Sequence, residues 1–227
     1  MATKKVTFGG LFAEVSDLVA RHGSYLALVT FAIAAGFLAL DWLDLKSGER
    51  GSTALLSSLS GVVVALFVQY SVVERLLADR RPPDQAAGVR FYGSLFGSLF
   101  LSSLAIGAGL ILFVLPGVYF AGRWLTSTQQ IVENRLSAME ALRASWDESQ
   151  PSQLVFIAAN LIGLVPMALV FGLIYRPDVI ALPGGFWVSN SSIDAVAALG
   201  NVAGWVIATA AHRLAVPVFN QLNEVFD

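Results

Sequence analysis

Arg123 is the residue of this chain best placed to do chemistry. It lies in the apolar run at 91–132, six residues past Pro116-Gly117. A guanidinium at such a position costs about 2.5–3.5 kcal/mol or more unless it snorkels or finds a partner. From mid-helix it can reach a carboxylate, the carbonyls of a helix end, or a lipid phosphate. Glu74 and Glu133 are the candidate carboxylates. One reading is an anion or lipid-headgroup contact. The other, which weighs more, is a structural tether that locks a short helix in place. Thr126, Ser127, Thr128, Gln129 and Gln130 follow directly. Polar side chains at membrane depth must turn away from lipid. They line a wet cavity or mark where the helix leaves the bilayer, and the second is favoured.

The other polar residues within apolar segments are Asn160, Asn201 and His212. Each reads as an interhelical hydrogen bond, with His212-Arg213 close enough to a helix end to snorkel. His22 and His212 have no metal-ligand spacing, so no metal or cofactor is expected. With no cysteine in the chain, disulfides and thiol catalysis are excluded. There is no Gly-x-Ser-x-Gly, His-Glu-x-x-His or phosphate loop. The acidic residues form no evident acid/base pair, so the expectation is a protein that is not an enzyme.

These residues need a membrane-embedded scaffold. The chain is 56% hydrophobic and 13% charged, with a mean hydropathy of +0.69, whereas about a quarter of a soluble domain is charged. The net charge of −2 gives no basic field for nucleic acid. The expected fold is all-α, a single integral membrane domain over 1–227. Residues 6–22 form an interfacial amphipathic helix, expected to be retained rather than cleaved as a signal peptide because Glu14 and Asp17 interrupt any continuous apolar run. Membrane helices are expected at 25–42, 53–77, 91–115, 118–132, 154–174 and 193–219, and a surface helix at 137–147 opened by the capping box Ser137…Glu140. The run 91–132 would be roughly 60 Å long as one helix. A bilayer core is about 30 Å thick. The run must therefore turn back, and the break is expected at Pro116 and Gly117. On the last helix, Gly200 and Gly204 stack small residues on one face, for packing within the chain or between two copies.

Charge supports the six-helix count. With the N-terminus in the cytoplasm, Lys4, Lys5, Arg21, Arg75, Arg80, Arg81, Arg90, Arg135, Arg143 and Arg213 fall inside. Only Lys46, Arg50 and Arg176 fall outside.

The run from Leu112 to Trp124 reads Leu-Phe-Val-Leu-Pro-Gly-Val-Tyr-Phe-Ala-Gly-Arg-Trp. Residues 138–146 read Ala-Met-Glu-Ala-Leu-Arg-Ala-Ser-Trp. Together with the Phe8-Gly9 start, this pattern resembles the YciC-like bacterial inner-membrane proteins. It is similar, too, to the membrane domain attached to some glycerophosphodiester phosphodiesterases. The resemblance implies a six-helix bundle in the bacterial cytoplasmic membrane with both termini inside. It matches Pro116, Gly117, Arg123, Ala141, Leu142, Arg143 and Ser145 and assigns none of them a catalytic role. The chain has no room for the phosphodiesterase domain, so that activity is not carried over. The expected function is a non-enzymatic scaffold or accessory subunit, serving envelope or lipid homeostasis. Its expected partners are membrane lipids and a second copy or a larger membrane complex, with no nucleic acid. The alternative is a transporter or channel for a small solute or lipid, using the broken helix and Arg123.

Overall fold

Strong apolar helix formers and few interior prolines make helix the default, and the computed structural model is all-helical over the residues it describes, 5–47, 52–80, 91–174 and 185–216. The elements are α1 (Phe8–Ser47), α2 (Ser52–Leu76), α3 (Tyr92–Leu112), α4 (Val114–Arg123), α5 (Ser127–Asn134), α6 (Ala138–Ser149), α7 (Gln153–Ile174) and α8 (Gly185–Ala215). Three described helices are long and apolar enough to cross a membrane: Phe8–Trp42, Tyr92–Leu112 and Ile193–Ala215. Their outer faces fit that environment, with large apolar side chains such as Leu28, Phe31 and Leu104 standing exposed.

The expected helices at 154–174 and 137–147 match α7 and α6 closely, and the capping box at Ser137 and Glu140 is formed. Other boundaries differ. The interfacial helix and first span are one continuous α1 of 40 residues. The expected boundary at His22-Gly23-Ser24 fails because a helical glycine costs only about 1 kcal/mol and stops nothing by itself. Residues 185–192, expected as loop, are the first turns of α8. Expected features at 1–4, 48–51, 81–90, 175–184 and 217–227 lie outside the described residues, including Arg81, Arg90 and Arg176.

The break in 91–132 also moves. The chain turns at Phe113, which is extended (φ −158°, ψ 136°), and not at Pro116-Gly117. Pro116 is the third residue of α4. A proline in the first turn lacks an N–H that would have had no helical partner anyway, so it starts the returning helix instead of ending the outgoing one. Gly117 serves close approach: a Cβ on Gly109 of α3 would lie 2.8 Å from the Gly117 nitrogen. The expected helix 118–132 is also interrupted, with α4 ending at Arg123 and α5 starting at Ser127.

Two apolar clusters hold the bundle. Leu11, Leu18 and Leu26 of α1 pack with Val72 and Leu76 of α2, Phe156 of α7 and Val206 and Ala210 of α8. Tyr70 and Val73 of α2 and Leu77 just after it pack with Leu95 of α3, Ile131 and Val132 of α5 and Ala141 of α6. On α8, Gly204 lies against Gly163 of α7, where a Gly163 Cβ would sit 3.7 Å from its Cα. Gly200 is half-buried one turn earlier. The small residues of α8 therefore serve a contact within the chain.

Candidate functional site: a buried ionic and polar cluster around α5

α5 is a short helix of polar composition whose first six residues, 127–132, are all buried. They are enclosed by neighbouring helices. Gln69 of α2 donates to the Thr128 hydroxyl (3.0 Å), and Gln129 donates to Thr209 of α8 (3.2 Å). Gln130 donates to the Glu148 carboxylate of α6 at 2.7 Å, and Thr126 donates to the same Oε2 at 3.0 Å.

Glu148 belongs to a stripe on α6, formed by Ala141, Leu142, Ser145, Glu148 and Ser149, that faces inward at helical spacing. Met139 of the same helix is exposed. Ser145 and Ser149 both donate to the carbonyl of Arg123, at 3.0 and 3.3 Å. A helix end leaves carbonyls without intrahelical partners, and α6 supplies donors for the end of α4.

His212 joins the cluster from α8. Its side chain is fully buried, which rules out snorkelling. Nδ1 lies 3.0 Å from Glu148 Oε2 and Nε2 lies 2.5 Å from Glu133 Oε2. With a proton on each nitrogen the ring donates to both carboxylates. Arg80, 3.4 Å from Glu133, then completes a quartet of two cations and two anions with no net charge. A second ionic clasp lies beside it. Arg213 Nε meets Glu14 at 2.6 Å, its two Nη atoms meet the Asp79 oxygens at 2.7 and 2.9 Å, and Nη1 also donates to the Leu76 carbonyl at 3.1 Å. The clasp ties α1, the end of α2 and α8 together.

Burial raises the Glu133 carboxyl, but the hydrogen bond from His212 and the charges of His212, Arg80 and Arg213 outweigh it and hold Glu133 below the usual carboxylate range. Hydrogen bonds from Arg213 hold Asp79 low as well. Burial disfavours the charge on Arg80, and Glu133 opposes that. Unfolded, Glu133 has its ordinary value of 4.5. A carboxyl whose value is lower in the fold stabilises the fold at pH above 4.5 and stops doing so as pH falls through the lowered value. The thermal midpoint in detergent should therefore hold steady from neutral pH down to about 5 and then drop, with a shallower drop in Glu133→Gln.

Arg123 is 2% exposed. Neither Glu74 nor Glu133 pairs with it: Glu133 is taken by His212 and Arg80, and Glu74 is half-buried on α2 with other interactions. Its guanidinium lies over Trp146, 4.3 Å from the ring centroid, with Tyr119 at 6.0 Å. Its Nε and Nη1 are buried without a hydrogen-bond partner, as is Gln129 Oε1. Asn160 Nδ2 is likewise buried without one. Asn201 donates to Ala197 in its own helix (3.0 Å), not across helices.

Glu133 and Glu148 meet on one imidazole, a buried carboxylate–histidine grouping that the sequence reading did not find. The sequence separations, 79 and 64 residues, hide this pairing from any local reading. The polar half of the α6 stripe was the available signal. No metal-binding group of three or more His, Cys, Asp or Glu occurs among the described residues. His212 and its two carboxylates do not converge on a common point, because opposite ring nitrogens face different acids. No family model, curated protein or solved structure matches this chain.

Proposed function

We propose that this chain is a multi-pass protein of a bacterial cytoplasmic membrane, YciC-like, with both termini inside, acting without catalysis as a scaffold or accessory subunit. α1, α2, α7 and α8 cross the bilayer in this reading, and the α3–α4 hairpin enters and returns on the cytoplasmic side. The observation that carries it is that the buried charges are largely spent on one another. Glu133, Glu148, His212 and Arg80 form one closed group, and Arg213, Glu14 and Asp79 form another. The two grooves the molecule offers outward are apolar. A groove of about 440 Å³ runs between α1, α2 and α8, lined by residues such as Ile33, Phe37, Val64 and Trp205. A second, of about 600 Å³, lies between α1 and α8 beside Leu26, Phe31 and Val206. Neither is lined by Arg123 or Gln129. Purified in a mild detergent, the protein should run with a second copy or a partner chain. A strictly monomeric, partner-free species overturns the scaffold reading.

A second reading, passage or binding of a small anion or a lipid at Arg123, is favoured by the two unpartnered guanidinium nitrogens. Arg123→Leu separates the two. Lowered thermal stability marks a tether over Trp146. Unchanged stability with loss of a cellular phenotype marks an anion site.

A further inference from the structure

We propose that α3 and α4 form a re-entrant hairpin whose apolar tip ends inside the hydrocarbon of the bilayer, in contact with lipid tails, and never reaches the far side. The inference rests on the multi-pass reading above and deepens it. Charge counting cannot distinguish a re-entrant hairpin from a pair of full spans, because both return the chain to the side it left.

Three lengths carry the inference. The first belongs to α3. Its 21 residues could cross a membrane, but its first turns are used elsewhere. Leu95 packs with Ile131 of α5 and Ala141 of α6, and a Cβ on Gly97 would lie 3.1 Å from the Ala138 Cβ at the start of α6. α6 exposes Glu140, Arg143 and Asp147, so it lies at the water boundary, and the base of α3 lies beside it. Beyond Ser102 the one fully buried residue of α3 is Gly109, against Gly117 of α4. From Gly97, beside α6, to Leu112 is about 22 Å at 1.5 Å per residue.

The second length is α4. Its 10 residues return about 15 Å, from Phe113 to an aromatic group level with α6. There Trp124 lies 6.1 Å from Trp146, and Tyr119 lies 5.7 Å from the same ring. Tryptophan and tyrosine concentrate at membrane interfaces. Legs of about 22 and 15 Å both leave the tip short of the far side of a hydrocarbon core of about 30 Å.

The third length is α7. Gly122 of α4 touches Ile157, where an added Cβ would be 2.8 Å from the Ile157 Cα. From that level α4 extends about 12 Å to its start, while α7 continues about 25 Å to Ile174. The hairpin stops where its neighbour is half-way.

The tip has the chemistry of that location. Ile111, Leu112, Phe113, Val114 and Leu115 are 87%, 71%, 74%, 65% and 82% exposed, with no polar side chain among them. Five consecutive bare hydrophobes do not face water. The break itself is one residue. Phe113 N–H donates to the Gly109 carbonyl at 2.9 Å and Pro116 has no N–H, which limits the bare backbone polarity that lipid would penalise. The occupant that fits is the acyl-chain region of the bilayer.

The absence of cysteine makes the test direct. Single variants Phe113→Cys, Lys46→Cys and Asp147→Cys are probed with a membrane-impermeant maleimide in intact cells and in inverted vesicles. Phe113 is mostly exposed, so its replacement removes little packing, and the thermal midpoint verifies the fold. Lys46→Cys should label from outside and Asp147→Cys from inside. Phe113→Cys should show loss of labelling from both sides and react only after the membrane is dissolved. A fluorophore attached to it during that step, in protein then reconstituted in phosphatidylcholine, should be quenched most by lipids brominated near the chain ends. Labelling of Phe113→Cys from the Lys46 side means that the hairpin crosses fully, and from the Asp147 side that it lies outside. Either overturns the inference while the multi-pass reading stands. Protection without quenching puts a second copy or another chain over the tip and also overturns it. Lys46→Cys and Asp147→Cys labelling from one side overturns both readings.

Discussion

Glu148→Ala is expected to be the most destabilising single truncation in this fold, at about 3–5 kcal/mol, the range for removing one partner of a buried ion pair. Glu148 Oε2 accepts from Thr126 and Gln130 and meets His212 Nδ1. Truncation leaves three buried donors facing a gap and removes an anion from the balanced quartet. Glu148→Gln keeps the shape and an acceptor oxygen, so it should lose less. His212→Ala should be costly for the same reasons, and the double variant should lose clearly less than the sum of the two. Coupling between residues in one network is typically 0.5–3 kcal/mol either way, here expected to be favourable. Thermal unfolding in one detergent, followed by tryptophan fluorescence, measures all four proteins. A loss from Glu148→Ala below about 1 kcal/mol, the scale of an exposed pair, would show that the cluster does not hold the fold together.

Gly122→Val should be the next largest loss. A Cβ there would lie 2.7 Å from Ile157 Cγ1 and 2.8 Å from its Cα. The side chain can rotate but the backbone can only move as a helix, so α4 is pushed off α7. Gly109→Val meets the Gly117 backbone at 2.8 and 2.9 Å and splits the hairpin in the same way. Overpacking costs about 1–3 kcal/mol and sometimes more, and opposing backbones place both variants at the upper end. Gly107→Ala is the control. Its Cβ would meet nothing within 4 Å, and replacing a helical glycine gains up to about 1 kcal/mol. The two valine variants should melt earlier than the parent and the alanine variant slightly later. Equal midpoints for all three would mean that the hairpin does not depend on these close contacts.

How much of this was legible follows from the range of each interaction. The α6 helix was readable because its capping box lies within four residues, and α7 because an apolar run of that length, interrupted only by Asn160, has few alternatives. The return of the chain after α3 was readable from length alone. Its location was not, since Pro116 is compatible both with stopping one helix and with starting the next, and only the glycine contact across the hairpin decides. Arg123 was readable as a buried charge, but its aromatic partner Trp146 lies on another helix, out of reach of any local pattern. The quartet was not legible. Each of Arg80, Glu133, Glu148 and His212 sits near a helix end, where a charge can reach water, and only the assembled fold turns all four inward.

The polar α5 has a consequence for how the chain is made. Of the groups that satisfy its side chains, only Gln69 and Arg80 precede it. Glu148, Thr209 and His212 are synthesised later, the last two in the final described helix. When α5 leaves the ribosome it has no place to bury its glutamines, and lipid would not accept them. It must wait, hydrated, beside an unfinished bundle. Burial of α5 is therefore a late event in assembly, and α8, emerging well after it, closes the structure around it.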